Sequence, residues 1–376
     1  MARRLRVRIG RSRDPRARGA AAEIREQTAQ DGLSLAFLFC SPRYDLDALG
    51  AAIDELFDCP VLACTTAGEF SSAGYTDGGI VAATLASGEL EVQTLFIDDL
   101  EDFCGDPVRD RTREALADRF GWKGPSSRGA FGLLLVDGLA MVEERLVAAL
   151  DAGFGGLPIV GGSAGDDLAF ERTFVYHAGG FHSSSAVFAL VETTLPFKVF
   201  KSQHLSPTGQ RIVITASDPD KRTVREIDGL PAAEAFAAAI GLSAEELTPE
   251  VFSTHPVMLR VGGEYYVRSI QKVNEDGSLT FYCAIDDGLV LTVARGEDLL
   301  SSMAAVLDDL EQSVPNLALV LAYDCILRRL EAQRRELGEK IRSLVGSRPL
   351  VGFSTYGEQY GSLHVNQTLT GVAIGR

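Results

Sequence analysis

The chain has 376 residues, enough for two or three domains of ordinary size, and 46% apolar with 23% charged residues excludes a disordered or fibrous protein. Its formal charge is −16, from 36 basic and 52 acidic residues. Residues 1–18 alone hold eight arginines and one aspartate, so the rest carries −23, a body that repels phosphate backbones and argues against a nucleic-acid partner.

The basic start lacks the apolar core of a signal peptide. Leu5–Ile9 reads as a short edge strand. A helix is expected to follow to about Gln30, with Asp14 as its N-cap and Pro15 at the first helical position. Next comes a continuous apolar run, Leu33–Cys40, then an amphipathic helix, Leu46–Phe57, then PVLACTTAGE at Pro60–Glu69. The pattern recurs twice. Ala130–Val136 and Met141–Ala152 precede PIVGGSAGD at Pro158–Asp166, and Leu317–Tyr323 and Ile326–Leu344 precede PLVGFSTYGE at Pro349–Glu358. Each copy reads as β–α–β, whose crossover makes the two strands parallel. The polar turns then lie past the carboxyl ends of parallel strands, where α/β sheets place their ligands.

Stretches between the copies read as antiparallel strands: Gly79–Leu85 with Glu91–Ile97, and Thr173–His177 with Ala186–Val191. In the second half, Arg211–Thr215 follows a turn at Pro207–Gly209, and a helix ends near Ile240. Val257–Val261, Tyr265–Ile270 and Leu279–Ala284 alternate apolar and polar residues around a hairpin turn at Asn274–Gly277. The expected architecture is α/β: two lobes with mixed sheets, a parallel βαβ core plus antiparallel strands, covered by helices. The expected divisions are 1–30 for the basic strand and helix, 31–200 and 201–376 for the lobes, with Pro196–Gly209 as the bridge.

No run approaches the ~20 apolar residues of a membrane span. The six cysteines form no CxxC pair, which suits reduced, buried thiols and a cytoplasmic protein. The five histidines (His177, His182, His204, His255, His364) show no zinc-like spacing. GGSAG at Gly161–Gly165 matches a nucleophile elbow, so a serine hydrolase using Ser163 is an alternative, although no helical period follows it. With no recognisable triad, the chain reads as a non-enzymatic binding module. The turn residues Thr66, Glu69, Ser163, Asp166, Thr355 and Glu358, with Asn366, form an expected rim for an amino acid or other small polar metabolite.

Several motifs fit one family in order: CTTAGEF at Cys64–Phe70, Gly74–Tyr75, GGSAGDD at Gly161–Asp167, DGLPA at Asp228–Ala232, GFSTYGEQ at Gly352–Gln359 and HVNQT at His364–Thr368. The first half resembles the FIST N-terminal sensory domain and the second half the FIST C-terminal domain. The resemblance implies a bacterial intracellular input module that binds a small ligand and regulates a partner histidine kinase or cyclic-di-GMP enzyme. SQHLSPTG at Ser202–Gly209, IQKVNEDG at Ile270–Gly277, FYCAID at Phe281–Asp286 and DCILR at Asp324–Arg328 look closest to the stand-alone, nitric-oxide-sensing haemoprotein branch, NosP. That likeness implies haem b as cofactor and nitric oxide as ligand. His204, where other members more often carry Gly-Cys, is then the expected iron ligand, with His364 as the alternative imidazole.

Overall fold

The computed structural model describes residues 5–104 and 129–376; Arg3 and Arg4 of the basic start lie outside these residues. The chain forms two units, one of residues 1–202, 304–364 and 369–376, the other of residues 203–303 and 365–368.

The larger unit is built from three six-stranded sheets. In the first the order is β1 (Arg6–Ser12), β6 (Ile80–Ala86), β2 (Leu35–Cys40), β3 (Val61–Thr65), β10 (Val175–His177) and β11 (Gly180–His182). The second runs β7 (Leu90–Ile97), β12 (Ala186–Thr193), β8 (Gly129–Val136), β9 (Ile159–Ser163), β24 (Glu358–Tyr360) and β25 (Leu363–Val365). The third runs β13 (Phe197–Ser202), β26 (Leu369–Ile374), β22 (Leu319–Cys325), β23 (Leu350–Thr355), β4 (Glu69–Ser71) and β5 (Gly74–Thr76). Each sheet has one parallel pair, β2·β3, β8·β9 or β22·β23, as the three βαβ copies require. The crossover helices are α2 (Leu46–Leu56), α3 (Glu143–Phe154) and the pair α7 (Ile326–Arg334) and α8 (Gly338–Val345). Two further helices, α1 (Ala17–Gln27) and α6 (Leu299–Ser313), precede β2 and β22.

The continuous apolar runs are buried on both faces. On β2, Leu35, Phe37 and Phe39 enter a core shared by all three sheets, while Ala36, Leu38 and Cys40 pack with α1 and α2. On β8, Phe131, Leu133 and Leu135 enter that core, and Leu134 and Val136 face α3. Phe39 and Phe353 meet there with ring centroids 4.6 Å apart. At ~25 cal/mol per Å² of apolar surface, this shared core is the main stabilising term.

The hairpin after each βαβ copy leaves its own sheet. β4 pairs with β23 in the third sheet, β24 with β9 in the second, and β10 with β3 in the first. The strand after that returns beside its own parallel pair: β6 to β2, β12 to β8, β26 to β22. The edge strand then crosses again, β7 onto β12 and β13 onto β26. β1 takes the corresponding place on β6. The three sheets are thus related by an internal three-fold pattern, and the basic start supplies its last strand.

The smaller unit is an antiparallel sheet ordered β18 (Glu264–Arg268), β17 (Val257–Val261), β21 (Val290–Gly296), β14 (Leu205–Asp218), β15 (Thr223–Ile227), β20 (Leu279–Phe281) and β19 (Ile270–Val273), with β16 (Leu230–Pro231) on β15. It carries α4 (Ala232–Ile240) and α5 (Pro249–Thr254) around a core including Ile214, Phe236, Phe252 and Leu291. The mixed α/β class is as expected, as is the hairpin turn at Asn274–Gly277, where the Gly277 amide donates to Asn274 O at 3.0 Å.

Other expectations are corrected. Gly79–Leu85 and Glu91–Ile97 are strands but do not pair with each other: β6 and β7 lie in different sheets. The same holds for Val175–His177 and Ala186–Val191; β10 instead turns back on β11. Asp14 does not cap the first helix. Its carboxylate accepts from the Arg16 amide at 2.9 Å, closing a turn two residues early, and α1 begins at Ala17. The Ile326–Leu344 helix is two helices, broken where Glu336 takes φ +54°. Pro207–Gly209 is no connecting turn but lies inside β14, at a register shift against β21. Within the bridge, Phe197–Ser202 is an ordered edge strand.

Candidate functional site

The three polar turns interlock through their backbones. The Ala67 amide donates to Ser354 O at 3.0 Å, the Tyr356 amide to Ser163 O at 3.2 Å, and the Gly165 amide to Thr65 O at 3.0 Å, closing a cycle. A second set joins Ser354 N–H to Gly68 O and Ser163 N–H to Gly357 O, both at 2.8 Å. The turns therefore gather at one place, but by bonding to one another. Gly165 has to be small because a Cβ there would lie 2.6 Å from the Ala67 nitrogen.

The rim side chains are correspondingly buried and mostly serve each other. The Thr66 hydroxyl donates to Glu69 at 3.4 Å, and the Thr355 hydroxyl makes the corresponding bond to Glu358. Asp166 accepts the amides of Phe170, Glu171 and Arg172 at 2.7–2.9 Å and the Tyr356 hydroxyl. Asn366 belongs to the smaller unit. Ser163 is fully buried, and its Oγ accepts from Gln359 Nε2 at 3.0 Å. No helix follows Gly165, so neither the exposure nor the local fold of a nucleophile elbow is present.

Of the rim residues, Glu69 lines an open cleft of about 380 Å³, together with Arg11, Ser12 and Arg13 from the end of β1, Thr76 from β5 and Arg342 from α8. Glu69 is 1% exposed. The Thr66 and Thr76 hydroxyls and the Gly79 amide donate to its carboxyl. Burial outweighs those bonds and the nearby Arg329 charge, and pushes the carboxyl up to about 8. At neutral pH it can act as a hydrogen-bond donor, while Arg11, Arg13 and Arg342 supply positive charge.

A second cleft of about 400 Å³ shares Ala73 and Arg342 with the first and adds Tyr75, Asp77, Arg329, Gln333, Glu336 and Glu339. Arg329 is fixed from several sides. It donates to Ala67 O at 2.8 Å, pairs with Asp77 at 2.5 Å, and lies 5.5 Å from the centroid of Tyr75. Behind it, the wholly buried Asp324–Arg328 pair meets at 2.6 Å, and the Tyr75 hydroxyl donates to Asp324. Burial beside Asp324 drives the Tyr75 phenol far above its ordinary value, so it stays protonated.

His204 and His364 are each 1% exposed, and neither lines either cleft. His204 lies in the smaller unit, where its carbonyl accepts the Glu297 amide at 2.7 Å. His364 Nδ1 is 3.3 Å from Gln359 Nε2, and its ring packs on Gly357. A haem iron needs an imidazole facing an open space, whereas both of these rings are buried and lie outside the two clefts. Among the described residues no helix is long and apolar enough to cross a membrane, and no cluster of three or more His, Cys, Asp or Glu residues could hold a metal.

Sequence reading missed Arg11, Arg13, Arg329 and Arg342. The available signal was the arginine-rich start, with Arg11 and Arg13 two residues apart at the end of an edge strand. Arg11 lies in β1, and Arg13 follows directly after its last residue, Ser12.

Comparison with known proteins identifies the FIST N domain over residues 34–230 and the FIST C domain over residues 232–361. An uncharacterized protein, MJ1623, of Methanocaldococcus jannaschii is 22% identical over 351 residues, covering 83% of this chain and 67% of that protein.

Proposed function

This chain belongs to the FIST family of sensory and signalling domains, and on that premise we propose that it senses a small carboxylate-bearing metabolite of the amino-acid class in the Glu69 cleft. The observation that carries this reading is a buried carboxyl at the foot of an open cleft bordered by Arg11, Arg13 and Arg342. Guanidiniums bind carboxylates through charge-assisted, often bidentate hydrogen bonds. Glu69 adds either a protonated donor or, once ionised, a partner for an ammonium group.

The route to an output is short. Glu69 closes the turn whose Ala67 bonds to Ser354 and receives Arg329. A ligand that moves this turn acts on all three interlocked turns, provided it binds one arrangement better than another. The output would pass to a signalling enzyme, a histidine kinase or a cyclic-di-GMP enzyme, and the residues described here would catalyse nothing.

A thermal-shift screen of amino and carboxylic acids tests the reading. A true ligand at 100 times its Kd stabilises by about 2.7 kcal/mol, and Arg11→Gln with Arg13→Gln should abolish that gain without lowering the unliganded melting temperature. Haemin belongs in the same screen. A Soret band lost in His204→Ala, with no response to any carboxylate, would replace this reading by a haem-based nitric oxide sensor.

A further inference from the structure

The two clefts are neighbours on one stretch of surface, with Ala73 and Arg342 lining both. Its ends differ in charge. At one end stand Arg11 and Arg13, both exposed, with no carboxylate paired to either guanidinium among the described residues. At the other stand Asp77, Glu336 and Glu339. Asp77 is occupied by Arg329, and Glu339 reaches Arg342 only across an exposed 3.3 Å contact. Glu336 has no such ion pair among the described residues.

A free α-amino acid carries its carboxylate and ammonium on one carbon and cannot face both ends at once. An extended peptide covers ~3.3–3.6 Å per residue, which lets a short peptide reach from one cleft into its neighbour. Between the ends sits Arg342, a cation that favours a carbonyl acceptor over a methylene chain. We infer, on the basis of the carboxylate reading above, that the ligand is a short peptide with free ends. Its C-terminal carboxylate lies against Arg11 and Arg13, a backbone carbonyl accepts from Arg342, and its amino terminus faces Glu336 and Glu339.

The test is titration calorimetry of the full chain with four probes: alanine, trialanine, N-acetyl-trialanine and trialanine amide. Trialanine should bind at least tenfold more tightly than alanine. Acetylation should cost fivefold or more, and that cost should vanish in a Glu336→Gln, Glu339→Gln variant, whose exposed sites leave folding intact. Amidation of the carboxyl end, or Arg11→Gln, should remove most binding. If alanine binds as well as trialanine, or acetylation costs nothing, the peptide inference is overturned while the carboxylate reading stands. Binding of none of the four also overturns the inference; the broader reading falls only if no carboxylate stabilises the protein in the thermal screen.

Discussion

The guanidinium of Arg329 occupies the space that a side chain on Gly68 would need. Gly68 has φ +112°, a region that residues with a Cβ avoid, and its neighbour Ala67 offers the carbonyl that Arg329 binds at 2.8 Å. The glycine of the repeated turn is therefore set by an arginine 261 positions further along the chain. Gly68→Ala should destabilise by about 2 kcal/mol or more, combining backbone strain with displacement of Arg329. Adding Arg329→Ala should return only the steric part. Chemical denaturation of both variants measures this, and an unchanged midpoint for Gly68→Ala would contradict the packing described.

Why the sequence disclosed the β–α–β copies but not their exchange follows from the same contact. Leu35–Cys40, Gly129–Val136 and Leu319–Cys325 are apolar on both faces, which marks central strands without reference to any partner. The hairpins carry no such mark. Glu69 pairs with Phe353, and Glu358 with Gly162, because the turns interlock in three dimensions. Local alternation suggests only neighbours in sequence, so it matches β6 with β7 and β10 with β12, pairs that the sheets do not contain. For the site, Glu69 was legible because it closes a repeated motif. Arg11 and Arg13 were not, since an edge strand read at Leu5–Ile9 does not say which strand it joins or what its end faces until β1 is seen on β6.

The buried Asp324–Arg328 pair gives a second prediction. Both side chains are fully buried and meet at 2.6 Å, with the Tyr75 hydroxyl as a further donor to the aspartate. Removing one partner leaves the other charge without compensation, at a cost of about 3–5 kcal/mol. Arg328→Met should therefore unfold the protein at much lower denaturant than wild type. Combining it with Asp324→Leu should recover most of the loss, because a matched apolar pair carries no desolvation penalty. A double variant as weak as the single one would place the cost elsewhere.

Glu69 predicts an unusual pH profile. Its carboxyl titrates near 8 in the folded protein, against an ordinary 4.5 when unfolded. Between those values the folded state holds the extra proton, so this group makes stability fall as pH rises from about 4.5 to 8 and level off above. The loss should amount to a few kcal/mol. Glu69→Gln, which keeps an acceptor for Thr76 and Gly79 without the titration, should flatten the profile and be more stable than wild type at pH 8.5. Melting temperatures across that range check both statements; parallel curves for the two proteins would mean that Glu69 ionises normally.

The last prediction separates two roles of the basic start. As a strand, β1 pairs with β6 along seven residues from Arg6–Ala86 to Ser12–Ile80, and buries Leu5 against the shared core. As a source of charge, it brings Arg11 and Arg13 to the cleft. Deleting residues 1–13 removes both contributions and leaves β6 as an uncovered edge, a template for pairing between chains. The truncated protein should lose several kcal/mol of stability and aggregate at concentrations where the intact chain stays dispersed. Arg11→Gln with Arg13→Gln keeps every backbone hydrogen bond of β1, since strand pairing does not depend on those side chains. That variant should match wild type in melting temperature and light scattering while losing carboxylate binding. If the substitutions destabilise the protein as much as the deletion, the arginines hold the fold together; if the deletion is harmless, the first strand does not complete the three-fold pattern.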